Sequence, residues 1–252
     1  MSHGGNRAPR RGRAWPQRVE RRPVARPVAE VARGAAAVLL DFDGSVCDLF
    51  RAYPAHDIAC HLREDPASAD LRLPRAADPL ELLRRAADVA DRDRVRALAG
   101  LLAGFEITAS YLAVPTPHVG DVLAAAAGTG RRVAIVSNRS TAVVAHYLRH
   151  AGLPPFAHVS ARDDDLDPAL LKPATHLLDG AVRHLGLTPG DCVLVGNSVT
   201  DVYAAARAGA RSVGYADRPG AAAALAAARA DAVVDTLAAL AAALRATPVR
   251  AR

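Results

Sequence analysis

The sequence is short of several things that a chain of 252 residues usually has. It holds a single Lys (Lys172), one Trp and one Met, and aromatic residues make up only 4% of it. Cysteine is limited to positions 47, 60 and 192. An odd, sparse set without metal-ligand spacing excludes a disulfide scaffold and a zinc-finger-type site. Cys192 lies inside an apolar run and reads as a small core residue. The expected compartment is a reducing cytoplasm. No apolar run approaches the roughly 20 residues of a membrane-spanning helix. The Arg pairs at 10–11 and 21–22 are not followed by a hydrophobic stretch of signal-peptide length.

Charge is unevenly spread. The net charge is +6, yet residues 1–33 hold nine Arg against two Glu, so the remaining body is close to neutral. The first 33 residues are rich in Arg and Pro and lack periodicity, and are expected to be disordered. With one aromatic residue (Trp15) among the arginines, they offer no stacking platform. Nucleic acid is therefore not an expected partner, and neither is a membrane.

From residue 34 short apolar runs alternate with Ala/Leu-rich stretches. The runs fall at 36–40, 133–136, 157–159, 192–195, 212–215 and 232–234. Continuous apolar strands separated by helices predict a doubly wound α/β fold, a parallel sheet covered on both faces. Helices are expected near 139–151, 174–186, 199–208, 219–229 and 236–245. About ninety residues separate the first two strands, far more than one crossover helix needs. Within that gap Asp78-Pro79 followed by Glu81 forms a helix start, and Val95, Leu98, Leu101, Leu102 and Phe105 mark one helical face. Residues 50–113 are read as a small helical insertion, a cap, within a core domain made of 34–49 and 114–252.

The candidate chemistry sits at strand ends. The first strand runs into Asp41-Phe42-Asp43-Gly44-Ser45, and residues two apart on an extended segment point the same way. Two carboxylates thus converge at the carboxyl edge of the sheet, where open α/β sheets bind ligands. The second strand ends in Ser137-Asn138, a hydroxyl and backbone N–H groups able to meet phosphate oxygens. The fourth ends in Gly196-Asn197-Ser198-Val199-Thr200-Asp201, and a helix starting near Ser198 would put 197 and 201 one turn apart, as oxygen donors for a hard cation. Lys172 stands alone against 31 Arg. In so biased a composition, a compact ammonium marks a place that a planar guanidinium does not suit. Nucleophile, charge neutralisation and acid/base together are what phosphoryl transfer requires.

These motifs resemble the haloacid dehalogenase superfamily in its phosphatase branch, over residues 35 to about 245. The resemblance is carried by DFDGSVCD (41–48), LLKP (170–173), AAARAG (204–209) and the stretch from GYADRPG (214–220) to AVV, and these look like phosphoglycolate-phosphatase-type members. It implies a Mg²⁺-dependent phosphohydrolase acting on a small phosphorylated metabolite. By the same resemblance Asp41 would be the nucleophile and Asp43 the acid/base. Ser137, Asn138 and Lys172 would bind the phosphoryl group. Asp41, Asp43, Asn197 and Asp201 would form the metal site. A phosphomutase on the same scaffold, or a catalytically weak binding protein, is the alternative. The second is motivated by Asn197, where the family usually carries Asp. Arg51, His56, Arg63 and His118 are weaker candidates for substrate contact, and the acidic run 163–167 reads as a solvated loop.

Overall fold

The computed structural model describes residues 26–249. It opens with α1 (Val28–Ala32), followed by β1 (Ala37–Leu40) and β2 (Cys47–Asp48). Three helices come next: α2 (Ala55–Glu64), α3 (Pro79–Val89) and α4 (Arg92–Ser110). The chain returns through β3 (Val114–Pro115), antiparallel to β2. The remainder alternates: α5 (Val119–Gly128), β4 (Arg132–Ser140), α6 (Thr141–His150), β5 (His158–Arg162), α7 (His176–His184) and β6 (Cys192–Gly196). It closes with α8 (Val199–Ala208), β7 (Arg211–Tyr215), α9 (Ala221–Ala227), β8 (Ala232–Val234) and α10 (Leu237–Arg245).

Six parallel strands form one sheet in the order β5-β4-β1-β6-β7-β8. Every residue of β1 is buried, as is every residue of β6 beside it, which is why both read as uninterrupted apolar runs. The helix α10 packs against both α1 and α5, and α7 packs against α8 as well as against β4 and β5. The sheet is thereby layered between helices. The chain leaves β1 toward β4 on one side and later crosses to β6 on the other. The carboxyl ends of β1 and β6 therefore flank the crevice where doubly wound sheets hold their ligands.

Three sequence expectations need adjustment. The folded body begins before residue 34: Val31 and Ala32 are fully buried in α1, and Arg26 pairs with Asp231 at 2.9 Å. The short apolar segment VAEVA inside Arg/Pro-rich surroundings was enough to dock a turn and a half of helix. Residues 1–25, on which the rest of the tail expectation falls, lie outside the described residues. The Ala-rich helix α5 was not anticipated. The helix expected near 174–186 is shorter, α7 running from His176 to His184.

The helices between β2 and β3 are tied to the sheet by a buried charge. Glu106 of α4 is completely buried. Its Oε2 accepts from the Arg162 guanidinium at 2.9 Å and from the Ser140 N–H at 2.9 Å. Arg162, 1% exposed, also donates to the carbonyls of Asn138 and Ala99. One guanidinium at the end of β5 thus clamps α4 onto the chain just past the tip of the apolar part of β4. Removing one partner of a buried pair leaves an uncompensated charge. Glu106→Gln is predicted to lower the unfolding free energy by about 3 kcal/mol, read from the urea midpoint. Glu81→Gln, on the exposed side of α3, should change it by no more than about 0.5 kcal/mol. Equal midpoints for the two variants would contradict the clamp.

Candidate active site

A pocket of about 120 Å³ opens at the carboxyl edge of the sheet. Asp41, Asp43, Ser137, Asn138, Lys172 and Asn197 all line it, together with Arg139, Ser198, Thr200 and the α3 residues Asp78, Leu80 and Arg84. Six of the seven residues singled out from the sequence therefore meet in one place. The seventh, Asp201, lies behind Lys172. None of Arg51, His56, Arg63 and His118 lines the pocket.

Asp41 is the residue that follows β1, and its N–H continues the ladder to the Val195 carbonyl at 2.9 Å. Its Oδ1 accepts from the Lys172 ammonium and from the Phe42 N–H, both at 2.8 Å. Its Oδ2 takes no hydrogen bond from the described residues. Lys172 is 1% exposed and its Nζ meets three acceptors: Asp201 Oδ1 at 2.6 Å, the Val136 carbonyl at 2.8 Å and Asp41 Oδ1 at 2.8 Å. An ammonium has three protons, and here all three are used. Burial opposes the charge, but Asp201 and Asp41 outweigh it and hold the Lys172 pKa above the ordinary value. Three acceptors converging on one point explain why this position carries the only Lys: a planar fork cannot satisfy them from a single centre.

Lys172 is thus the buried counter-ion of two carboxylates, at the wall of the pocket. Asp201 uses Oδ1 on Lys172 and Oδ2 on the Ser198 N–H, closing a capping box at the start of α8. Each oxygen thus already accepts one hydrogen bond. Burial, reinforced by Asp41, pushes the Asp201 carboxyl up to about 6, with Lys172 pulling the other way. Asn138 is likewise committed. Its amide accepts from the Lys172 N–H at 2.8 Å and donates to the Lys172 carbonyl at 3.1 Å, so its side chain positions Lys172. Ser137 is fully buried and its Oγ accepts from the Arg139 N–H at 3.0 Å.

Asp43 has a different environment. Its Oδ2 accepts from Arg139 at 3.1 Å and its Oδ1 from the Leu49 N–H at 3.3 Å. Burial raises its pKa to about 6; the Arg139 charge opposes that rise and the neighbouring Asp41 adds to it. A carboxyl titrating just below neutrality can both give and take a proton. Arg139 also approaches Asp78 at 3.7 Å and Glu106 at 3.8 Å, and its guanidinium lies 4.6 Å from the centre of the Phe50 ring. It links Asp43 to the inserted helices. Arg84, from α3, donates to the Lys172 carbonyl at 3.0 Å and forms no ion pair among the described residues. Neither Arg139 nor Arg84 stood out in a chain with 31 Arg. Arg139, two residues past Ser137 at a strand end, had the only positional signal.

Asn197 follows β6 and donates through Nδ2 to Asp217 at 2.5 Å. Its side chain lies directly on Gly44, whose φ is +89° and where any Cβ would overlap the amide. The Gly44 carbonyl in turn accepts from Thr116 Oγ1 at 2.9 Å, which fixes the returning chain to this loop. Among the residues lining the pocket, Asp41 and Asn197 offer carboxylate and amide oxygen to a hard cation. That donor set suits Mg²⁺, which takes few carboxylates and keeps water. Among the described residues no three His, Cys, Asp or Glu side chains cluster to hold a metal, so a cation here would need amide oxygen or water beside the Asp41 carboxylate.

The chain was compared with known proteins. Residues 35–209 match the family model described as haloacid dehalogenase-like hydrolase. A phosphoglycolate phosphatase of Cupriavidus necator is 33% identical over 236 residues, covering 88% of this chain and 98% of the relative. A phosphoglycolate phosphatase of Salmonella paratyphi A is 35% identical over 98 residues, and that match spans only 38% of the relative's length. A haloacid dehalogenase-like family protein of Streptococcus pneumoniae superposes with a TM-score of 0.60 at 15% identity, covering 83% of this chain and 98% of that one. At that identity the superposition speaks for the fold alone.

Gly44→Ala tests the packing of the loop against Asn197. It needs a side chain at positive φ as well as room that the amide occupies. The expected loss is about 2 kcal/mol of stability, measured by thermal or urea unfolding. Gly34→Ala, at φ +71° with nothing near the added carbon, isolates the backbone part and should lose less.

Proposed function

The chain belongs to the haloacid dehalogenase-like hydrolases, and from that membership we propose that it is a Mg²⁺-dependent phosphohydrolase of small phosphomonoesters that works through an aspartyl-phosphate on Asp41. The observation that carries the reading is the asymmetry of the two acids. Asp41 has one oxygen fixed by a buried ammonium and the other without a partner among the described residues. Asp43, two residues on, has a pKa near 6. One is oriented as a nucleophile and the other is poised for proton transfer.

In this reading Asp41 Oδ2 attacks phosphorus, the bond to the ester oxygen breaks, and that oxygen takes the proton of Asp43. Asp43, now a carboxylate, accepts a proton from water. The water oxygen attacks the phosphorus of the aspartyl-phosphate and releases phosphate, restoring Asp41. Arg139 holds Asp43 in place through both steps. Lys172 orients Asp41 by bridging it to Asp201. Ser137 and the backbone N–H groups beside it would receive the phosphoryl oxygens. The Asp41 carboxylate, the Asp43 carbonyl and the Asn197 amide oxygen would hold Mg²⁺, which when bound neutralises charge on the phosphoryl group. Asp201 keeps its carboxylate for Lys172.

The pocket of about 120 Å³ accommodates a phosphoryl group and a few further atoms, which favours a small metabolite. Relatives named phosphoglycolate phosphatase make 2-phosphoglycolate the first substrate to try. No Lys stands in 50–113, so a Schiff-base chemistry in the cap is absent from the reading. The competing reading, a protein that retains the fold without turnover, is favoured by one feature, the amide at 197.

Phosphate release from 2-phosphoglycolate and from an aryl phosphate decides between them. With Mg²⁺ the wild type should turn over, and EDTA should stop it. Asp41→Asn should lose about 10³-fold or more, and Asp43→Asn about 10²- to 10⁴-fold. Equal rates for wild type and Asp41→Asn would overturn the proposal.

A further inference from the structure

Asn197 and Asp217 emerge from adjacent strands. Gly196 of β6 is in register with Gly214 of β7, so the residues just past the two strand ends are brought side by side. There Asn197 Nδ2 donates to Asp217 Oδ2 at 2.5 Å. A carboxylate can only accept, so the NH₂ edge of the amide is the one facing Asp217. The amide oxygen is therefore on the opposite edge. The bare Cα of Gly44 beneath the side chain leaves room for the amide, which a Cβ there would overlap.

We propose that Asp217 is the positioning residue that makes Asn197 a cation ligand, and that it returns to the site the negative charge that an amide at 197 lacks. This rests on the Mg²⁺ site of the proposed function and adds Asp217 to it. Two physical effects act together. A charged acceptor on the NH₂ edge polarises the amide and raises the electron density on Oδ1. Partners of this kind behind a metal ligand also fix its orientation and tune its basicity. Asp217 keeps its second oxygen for Arg218 at 2.8 Å; that guanidinium is 60% exposed, whereas the Asp217 side chain is 21% exposed. An exposed pair of this sort is weak, so Arg218 neutralises little of the charge that Asp217 directs at Asn197.

The test is Mg²⁺ binding to the full-length chain, followed by isothermal titration calorimetry without substrate. Asp217→Asn should weaken binding about 10-fold, with unfolding in the absence of metal unchanged. Arg218→Gln should leave it within about twofold. The double variant Asn197→Asp/Asp217→Asn reverses the pair, keeps one carboxylate and one amide, and should bind at least as tightly as wild type. If wild type binds Mg²⁺ and Asp217→Asn binds it within twofold, the role of Asp217 is overturned while the metal site stands. If wild type binds no Mg²⁺ at millimolar concentration, the metal site of the proposed function falls, and the role of Asp217 with it.

Discussion

The site depends on one ammonium. Lys172 is buried to 1% exposure between Asp41 and Asp201, with the Val136 carbonyl as its third acceptor. The ammonium fixes Asp41 by one oxygen and makes Asp201 the anchor of α8. The loop that carries it is held by Asn138, which bonds to both its N–H and its carbonyl. Three strand ends and one loop thus share a single charge network, and removing its centre would leave two buried anions unpaired.

A second cation organises the other side. Arg139 ties Asp43 to Asp78 and Glu106 on the inserted helices, and Glu106 is clamped to the sheet by Arg162. The inserted helices are connected to the acid/base by charge as well as by apolar packing. Their position is therefore coupled electrostatically to the protonation of Asp43, whose pKa near 6 is the balance between burial and the Arg139 charge.

Much of this was legible in the sequence. The six strands were visible because each contains a short apolar run, clearest in β1 and β6, where every residue is buried. Asp41, Asp43, Ser137, Asn138 and Asn197 were visible because each interrupts or ends such a run. Lys172 was visible by its rarity. What the sequence hid were the partners. Arg139 and Arg84 were lost among 31 Arg. Glu106 sits on an otherwise apolar helical face, where its role depends on Arg162, 56 residues away. Asp217 lies in a loop beyond β7, and only the β6–β7 pairing brings it to Asn197. The hydrogen bonds between Lys172, Asp41 and Asp201 were hidden for the same reason: a motif shows that charges converge, but not which atoms they pair through.

The central claim is that Asp41 carries the phosphoryl group between two half-reactions. Rapid mixing with substrate and Mg²⁺, acid quench within the first turnover, and peptide mass spectrometry would test it directly. The account predicts a phosphorylated peptide with the modification on Asp41, labile to hydroxylamine, that appears before free phosphate reaches its steady rate. Phosphate release at the full rate with Asp41 unmodified at every quench time would contradict it.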